Sequence, residues 1–357
     1  MAALPVARRR LALAVLLGLI AIPVVWAGFE SGLAAYMEGD YQTAFREFLE
    51  AAKAGDLVAA NNLGVLYSTG RGTATDLAQA VIWWNKAAAK GDDEAAFNLA
   101  LAYQTGRGVT VDETTAAIWY RKAAELGNPS AQFNLGVLYH SGRGVPLDMA
   151  EAALWYRKAA DQGDLAAQKS LADMLSSGEG GPQDLTEAAH YFRLAAEQGD
   201  AEAERVLGAM YGAGAGVSKD LDAAASWYAQ AADQGDAQAA FNLGLMSASD
   251  ESDLEDRKRA YLWLSLAARG LDDVAAKTAA AKARDDVAGK LSAAERDQAE
   301  QQLDQWRPHG GAPLATAKGD AVAKQSGETA SNEACRVSLR DSLGQSNQWT
   351  EGKVACR

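Results

Sequence analysis

The chain has 357 residues, 48% of them hydrophobic, and it carries a formal net charge of −13. This hydrophobic content is enough for a substantial core, and an alanine-rich composition with only 7 prolines favours α-helices. The acidic balance disfavours phosphate backbones and anionic lipid surfaces, so nucleic acid is excluded as an expected partner.

The N-terminus has the pattern of an export signal. Arginines at 8–10 precede an apolar run from Leu11 to Val25, and a small-residue cleavage site follows at Ala27. We therefore predict a signal peptide over 1–27 and a periplasmic or secreted mature protein. The apolar run is shorter than the roughly 20 residues of a spanning helix. An uncleaved segment that anchors the chain to the inner membrane is the alternative, and only in that case is a membrane expected as a partner.

The central part of the chain repeats every 36 residues. The hexapeptide WYRKAA occurs at 119–124 and again at 155–160. The same step carries a leucine through the chain, at Leu63, Leu99, Leu135, Leu171, Leu207 and Leu243. A Gly-x-Gly, an aspartate, an aromatic pair and an Ala-Ala pair recur in the same register. The recurrence predicts six structural units over 57–272, preceded by a partial unit over 28–56.

Each unit is predicted to contain two helices, here called helix A and helix B. In the first copy, Ala59, Leu63 and Tyr67 share one face of helix A. The helix is expected to end at the Gly-x-Gly of 70–72, where glycine can adopt a positive φ. Asp76 is then placed to cap the N-terminus of helix B, whose aromatic and alanine positions are assigned to the core.

The stretch FNLGVLYHSGRGVPLDMAEAALWYRKAADQGD at 133–164 resembles a Sel-1-like repeat, a relative of the tetratricopeptide repeat. The resemblance implies an all-α fold, an α/α superhelical solenoid of 36-residue helix-turn-helix repeats with terminal capping helices. It also implies a role as an adaptor or scaffold in protein complexes. Repeat 4 departs from the pattern at Leu175 and at Tyr191-Phe192, and repeat 6 replaces its Gly-x-Gly loop with residues 247–256, which predicts a different turn.

The C-terminal part is divided into three segments. Two capping helices are predicted over 273–306, the second of which begins with the capping box Ser292-x-x-Glu295. A flexible linker is predicted over 307–331 and a tail over 332–357. The tail holds the only two cysteines, Cys335 and Cys356, which are expected to form a disulfide if the protein is exported.

Signals for catalysis, cofactors or metals are poor, and we predict none of these sites. The three histidines, His140, His190 and His309, occupy unrelated positions. GAGAG at 212–216 lies at the turn of its repeat and follows a predicted helix, so it is interpreted as structural. β-Lactam binding or hydrolysis is kept as a remote alternative, because the repeats lack cysteine and the chain lacks Ser-x-x-Lys. A structural, peptidoglycan-associated envelope component is the closer alternative to a scaffold.

A partner-binding groove is predicted on the side of helix A opposite its packed face. Resemblance to tetratricopeptide repeats implies that this side is concave. One position there changes chemistry between repeats instead of keeping it, which predicts apolar anchors and cations for a protein or peptide of acidic, apolar character. The alternative is that its phenylalanines pack against the preceding unit. The predicted partner-binding residues are Asn61, Phe97, Phe133, Lys169, Arg205 and Phe241, with Gln104 and His140 from a second position.

Overall fold

The computed structural model describes residues 23–248 and 254–308. Within these ranges the chain forms sixteen α-helices and no strand. In chain order they are α1 Pro23–Met37, α2 Tyr41–Lys53, α3 Leu57–Thr69, α4 Leu77–Ala88, α5 Asp93–Thr105, α6 Glu113–Glu125, α7 Pro129–Ser141, α8 Met149–Ala160, α9 Leu165–Ser177, α10 Leu185–Glu197, α11 Ala201–Ala213, α12 Leu221–Asp233, α13 Ala237–Ser247, α14 Leu254–Gly270, α15 Val274–Ala288 and α16 Ala293–Gln305.

The helices pair as the 36-residue recurrence predicts. Helix A of the six repeats is α3, α5, α7, α9, α11 and α13, and helix B is the helix that follows each of them. The all-α solenoid of two-helix repeats is thereby confirmed. The chain divides into two compact units, whose described parts are 23–155, called unit 1, and 156–248 with 254–308, called unit 2.

The turns inside the repeats follow the predicted chemistry. Gly70 ends α3 in the left-handed region, with φ 69°, and its N–H donates to the carbonyl of Leu66. Asp76 then begins α4, because its carboxylate accepts the N–H of Gln79 at 2.9 Å. Repeat 6 differs as expected: α13 ends at Ser247, and Ala248 follows with φ −90° instead of a left-handed glycine.

The core of each repeat is a leucine on helix A facing the second aromatic position of helix B. The leucine series is buried in all six repeats, and so is the second position of the pair, Trp84, Tyr120, Tyr156, Phe192, Tyr228 and Leu264. The first aromatic position differs from the core assignment. Trp155 and Tyr191 are buried, but Trp83, Trp119 and Trp227 are only half-buried. In repeats 1, 2 and 5 one aromatic residue therefore fills the core and the other lies at its edge, whereas in repeats 3 and 4 both aromatic residues are buried.

The C-terminal helices close unit 2. Ser292 and Glu295 form the predicted capping box, in which each side chain bonds the backbone N–H of the other residue, at 3.3 and 2.7 Å. Leu303 of α16 is buried in the cluster that contains Tyr228 and Leu243 of the last repeats. The apolar end of repeat 6 is covered by this contact, as a repeat array requires.

Several predictions concern residues outside the described ranges. Residues 1–22 of the predicted signal peptide lie there, and α1 begins at Pro23. Most of the linker and the whole cysteine tail, with Cys335 and Cys356, lie outside as well, so their pairing stays a prediction. In the described part of the chain, no helix is both long enough and apolar enough to cross a bilayer.

Candidate partner-binding surface

In unit 1 the predicted groove positions differ in their accessibility. Asn61 is 1% exposed and accepts a hydrogen bond from the Asn98 amide at 2.9 Å. Phe97 is 5% exposed, and its ring centroid lies 5.8 Å from that of Tyr120. Phe133 is half-buried. Of these three positions, only Phe133 offers a partner substantial side-chain surface.

The face of α3 opposite its packed side is more enclosed than the helical wheel predicts. Asn61, Val65 and Ser68 lie on that face, and all three are buried. The second predicted position includes Gln104, whose side-chain oxygen accepts the hydroxyl of Tyr120 at 2.7 Å. His140 at the same position in the next repeat is half-buried near the end of α7. That these residues bind a partner stays a prediction.

In unit 2 the predicted cations have carboxylate partners in place. The ammonium of Lys169 lies 3.1 Å from Asp200 and 2.6 Å from Glu202. The guanidinium of Arg205 lies 3.1 Å from Asp236. Both contacts span 31 residues and join helix A of one repeat to the residue that caps helix A of the next. The positive charges at these positions are therefore largely compensated within the protein.

The pKa of Lys169 reflects this pairing. Partial burial lowers the pKa of the ammonium, but its hydrogen bonds to Glu202 and Asp200 outweigh burial, so the pKa of Lys169 is raised.

The last position of the series, Phe241, is half-buried and packs against the clusters around Tyr228 and Leu264. The series in unit 2 thus combines a packed aromatic residue with two compensated cations.

A second charged network joins the B helices of unit 2. The guanidinium of Arg157 on α8 binds both carboxylate oxygens of Glu187 on α10. Tyr191 donates its hydroxyl to Asp161 at 2.7 Å, and burial together with that carboxylate raises the pKa of the tyrosine to about 12. The hydrogen bond from Arg157 lowers the pKa of Glu187.

The lowered pKa of Glu187 predicts an acid-dependent contribution to stability. The stabilisation is present above the unfolded-state pKa of about 4.3 and is lost as pH falls through the lower folded-state value. Glu187→Gln should therefore lower the free energy of unfolding by about 0.5 kcal/mol at pH 7. When the pH is lowered below 4, the free energy of unfolding should fall less in this variant than in the parent chain. Urea unfolding at both pH values measures this. Glu197→Gln, at the end of the same helix, is the control, and equal losses in both variants would contradict the assignment.

The carboxylates, the histidines and the GAGAG stretch do not form a metal or phosphate site among the described residues. No group of three or more His, Cys, Asp or Glu side chains that could hold a metal is present in this part of the chain. His190 is exposed and packs edge-on against Tyr191, with ring centroids 5.2 Å apart. Gly214 and Gly216 of the GAGAG stretch both have positive φ in the inter-helix turn, in agreement with a structural role.

One recurrent polar contact was not predicted from the sequence. Gln132 and Gln168 are buried on the A helices and donate to the carbonyls of Ala124 and Ala160, which lie at the end of the preceding B helices. The next residue in the series is Glu204, which accepts a hydrogen bond from Gln234 at 2.9 Å. A polar residue that recurs at a 36-residue step beside the core leucines was the available signal.

Comparison with known families agrees with this architecture. The profile of the Sel1 repeat matches six consecutive times, at 57–92, 93–128, 129–164, 165–200, 201–236 and 237–270. The chain belongs to the Sel1 repeat family. The matched segments reproduce the predicted register and end two residues before the predicted boundary at 272. Repeats of this family generally serve as protein–protein interaction scaffolds and are typically non-enzymatic.

The solved structures that resemble this Sel1 repeat protein include two bacterial proteins. One is a protective antigen present in uropathogenic Escherichia coli strains, described as displaying an SLR fold, with 30% identity and a TM-score of 0.62. The alignment covers 79% of this chain but only 65% of that longer one. The other is a Sel1 repeat protein from Oxalobacter formigenes, with 35% identity, a TM-score of 0.55 and coverage of 67% and 98%. Comparison with curated protein sequences gives no match.

Proposed function

We propose that this Sel1 repeat protein is an exported, non-enzymatic scaffold of the bacterial cell envelope, which holds a protein or peptide against the inner positions of its A helices. The proposal rests on a difference between two positions of helix A that recur in every repeat. The leucine position keeps one chemistry in six repeats and is always buried, whereas the inner position changes from amide to aromatic to cation. Packing explains the constant position, and we attribute to a partner the part of the variable position that stays accessible, at Phe133.

The burial of each side chain indicates which of the predicted residues are accessible to a partner. Phe133 is half-buried and is the most accessible candidate in unit 1, whereas Asn61 and Phe97 are buried. The compensated cations of unit 2, Lys169 and Arg205, favour a role in joining repeats over recruitment of an acidic peptide. The partner surface that we propose is therefore apolar and neutral-polar at its centre.

Export rests on two independent supports. The basic and apolar pattern of the first 27 residues is that of a signal peptide. The similar Escherichia coli protein is described as a protective antigen, a description that agrees with an exported protein. Determining the N-terminus of protein isolated from its native host tests export: a retained Met1 or Ala2 in a soluble cytoplasmic fraction would contradict it.

Partner capture gives the direct test of the scaffold. We expect Phe133→Ala to lower the yield of crosslinked partner in cells about tenfold, because aromatic residues are energetic centres of such contacts. Crosslinking followed by mass spectrometry measures the yield. Leu221→Ala, at an exposed aliphatic residue on a B helix of unit 2, is the matched control and should capture normally.

Two outcomes would count against the scaffold. If Phe133→Ala lowers the melting temperature markedly while the folded fraction captures partner normally, Phe133 is a packing residue and the proposed contact is wrong. If the chain captures no protein and instead sediments with purified sacculi, it is a peptidoglycan-associated component of the envelope.

A further inference from the structure

The B helices of unit 1 share an exposed face with an unusual composition, called the outer stripe below. It consists of positions 75, 78, 82, 86 and 90 on or beside α4, positions 111, 114, 118, 122 and 126 on or beside α6, and positions 147, 150 and 154 on or beside α8. Spacings of three and four residues place these positions on one side of each helix, and the 36-residue step aligns them between helices. Every position in the stripe is exposed, and none of them is acidic, although the chain carries a net charge of −13.

Aliphatic side chains dominate the outer stripe. Ile82 is 44% exposed, Ile118 is 52% exposed and Leu154 is 45% exposed. Val111, Leu126 and Leu147 are exposed in the same stripe. Folding leaves these side chains in water on three successive B helices, and exposed apolar surface that recurs in this way indicates an interaction site.

Lysines are interleaved with the aliphatic residues and are held by tryptophans. The ammonium of Lys86 lies 3.8 Å from the ring centroid of Trp83, and that of Lys122 lies 4.0 Å from the ring centroid of Trp119. Both tryptophans are half-buried at the edge of the core. Repeats 1 and 2 therefore each present an aliphatic side chain, an indole and an ammonium together. Acidic residues of the same segments, such as Asp76 and Asp112, are bound to helix N-termini.

We propose that the outer stripe docks on an anionic lipid surface. Aliphatic and tryptophan side chains enter the headgroup region, and lysines on the same face pair with anionic headgroups. A second copy of the chain would place lysine against lysine across a symmetric contact, which charge complementarity disfavours. The net negative charge of the chain opposes approach, but salt screens charges beyond about 8–10 Å, so the contacting stripe dominates at the surface.

Vesicle sedimentation of the full chain tests this docking. We expect binding to vesicles of phosphatidylcholine with phosphatidylglycerol to exceed binding to phosphatidylcholine alone at least about tenfold. The double variant Lys86→Glu with Lys122→Glu should abolish that preference. The double variant Ile82→Ser with Ile118→Ser should weaken binding to the anionic vesicles at least about fivefold. Lys219→Glu and Leu221→Ser, exposed positions in unit 2, are the controls and should bind as the parent chain does.

All variants keep the apolar run at 11–25, so that segment contributes equally to vesicle binding in every sample. Vesicle binding that is unchanged in both double variants would show that the apolar run carries it, and would overturn the proposal. Equal binding to neutral and anionic vesicles would overturn it too. If the double variants bind vesicles normally but lose a crosslinked protein in cells, the stripe is a protein-docking surface and the lipid assignment is wrong.

Discussion

Gly144→Ala should destabilise unit 1 by about 4 kcal/mol, a large effect for a single methyl group. Gly144 has φ 68°, a conformation that L side chains rarely adopt. A Cβ atom at this position would also lie 2.2 Å from the carbonyl oxygen of Glu113, at the start of the B helix of the preceding repeat. The methyl group must therefore push two backbone segments apart in addition to straining its own backbone.

The Gly127→Ala variant measures the cost of backbone strain without a close contact of the added methyl group. Gly127 also has a positive φ, of 102°, but a Cβ there would meet no atom within 4 Å. We expect it to cost only the backbone strain, about 1–2 kcal/mol. Equilibrium unfolding in urea measures both variants. Equal losses in the two would mean that the close approach to Glu113 does not constrain the repeat stack.

Gly208→Ala and Gly212→Ala should change stability in opposite directions, although they lie one turn apart on α11. A Cβ at Gly208 would lie 2.9 Å from the ring of Tyr228, which is buried, and 3.2 Å from the carbonyl oxygen of Ala224. Overpacking there should cost about 2 kcal/mol. A Cβ at Gly212 would meet only the Cβ of Ala224, at an ordinary 3.8 Å.

The second substitution should stabilise the protein by about 0.5–1 kcal/mol, because alanine loses less backbone entropy than glycine in a helix. The same register position is occupied by His140 in α7 and Ser176 in α9, so a side chain is tolerated there. Thermal unfolding of the two variants under one set of conditions gives the comparison. A loss of stability in both would show that α11 and α12 are too closely packed throughout for this distinction to hold.

The sequence by itself determined the local structure of this protein. The 36-residue step placed the helix pairs in register, Gly70 ended α3 as its conformational freedom allows, and Asp76 capped α4. These outcomes depend on residues a few positions apart. Short-range backbone preferences and one apolar face per helix are sufficient to specify them.

Only the tertiary structure decided which of the remaining faces are accessible. A helical wheel places Asn61 and Val65 away from the packed side, yet both are buried in unit 1. Lys169 was predicted to contact a partner, but its carboxylates come from Asp200 and Glu202, more than thirty residues later. The wheel describes one helix, whereas burial and ion pairing depend on neighbouring repeats. For the same reason, the exposed row of Ile82, Ile118 and Leu154 could be recognised only after their surroundings were known.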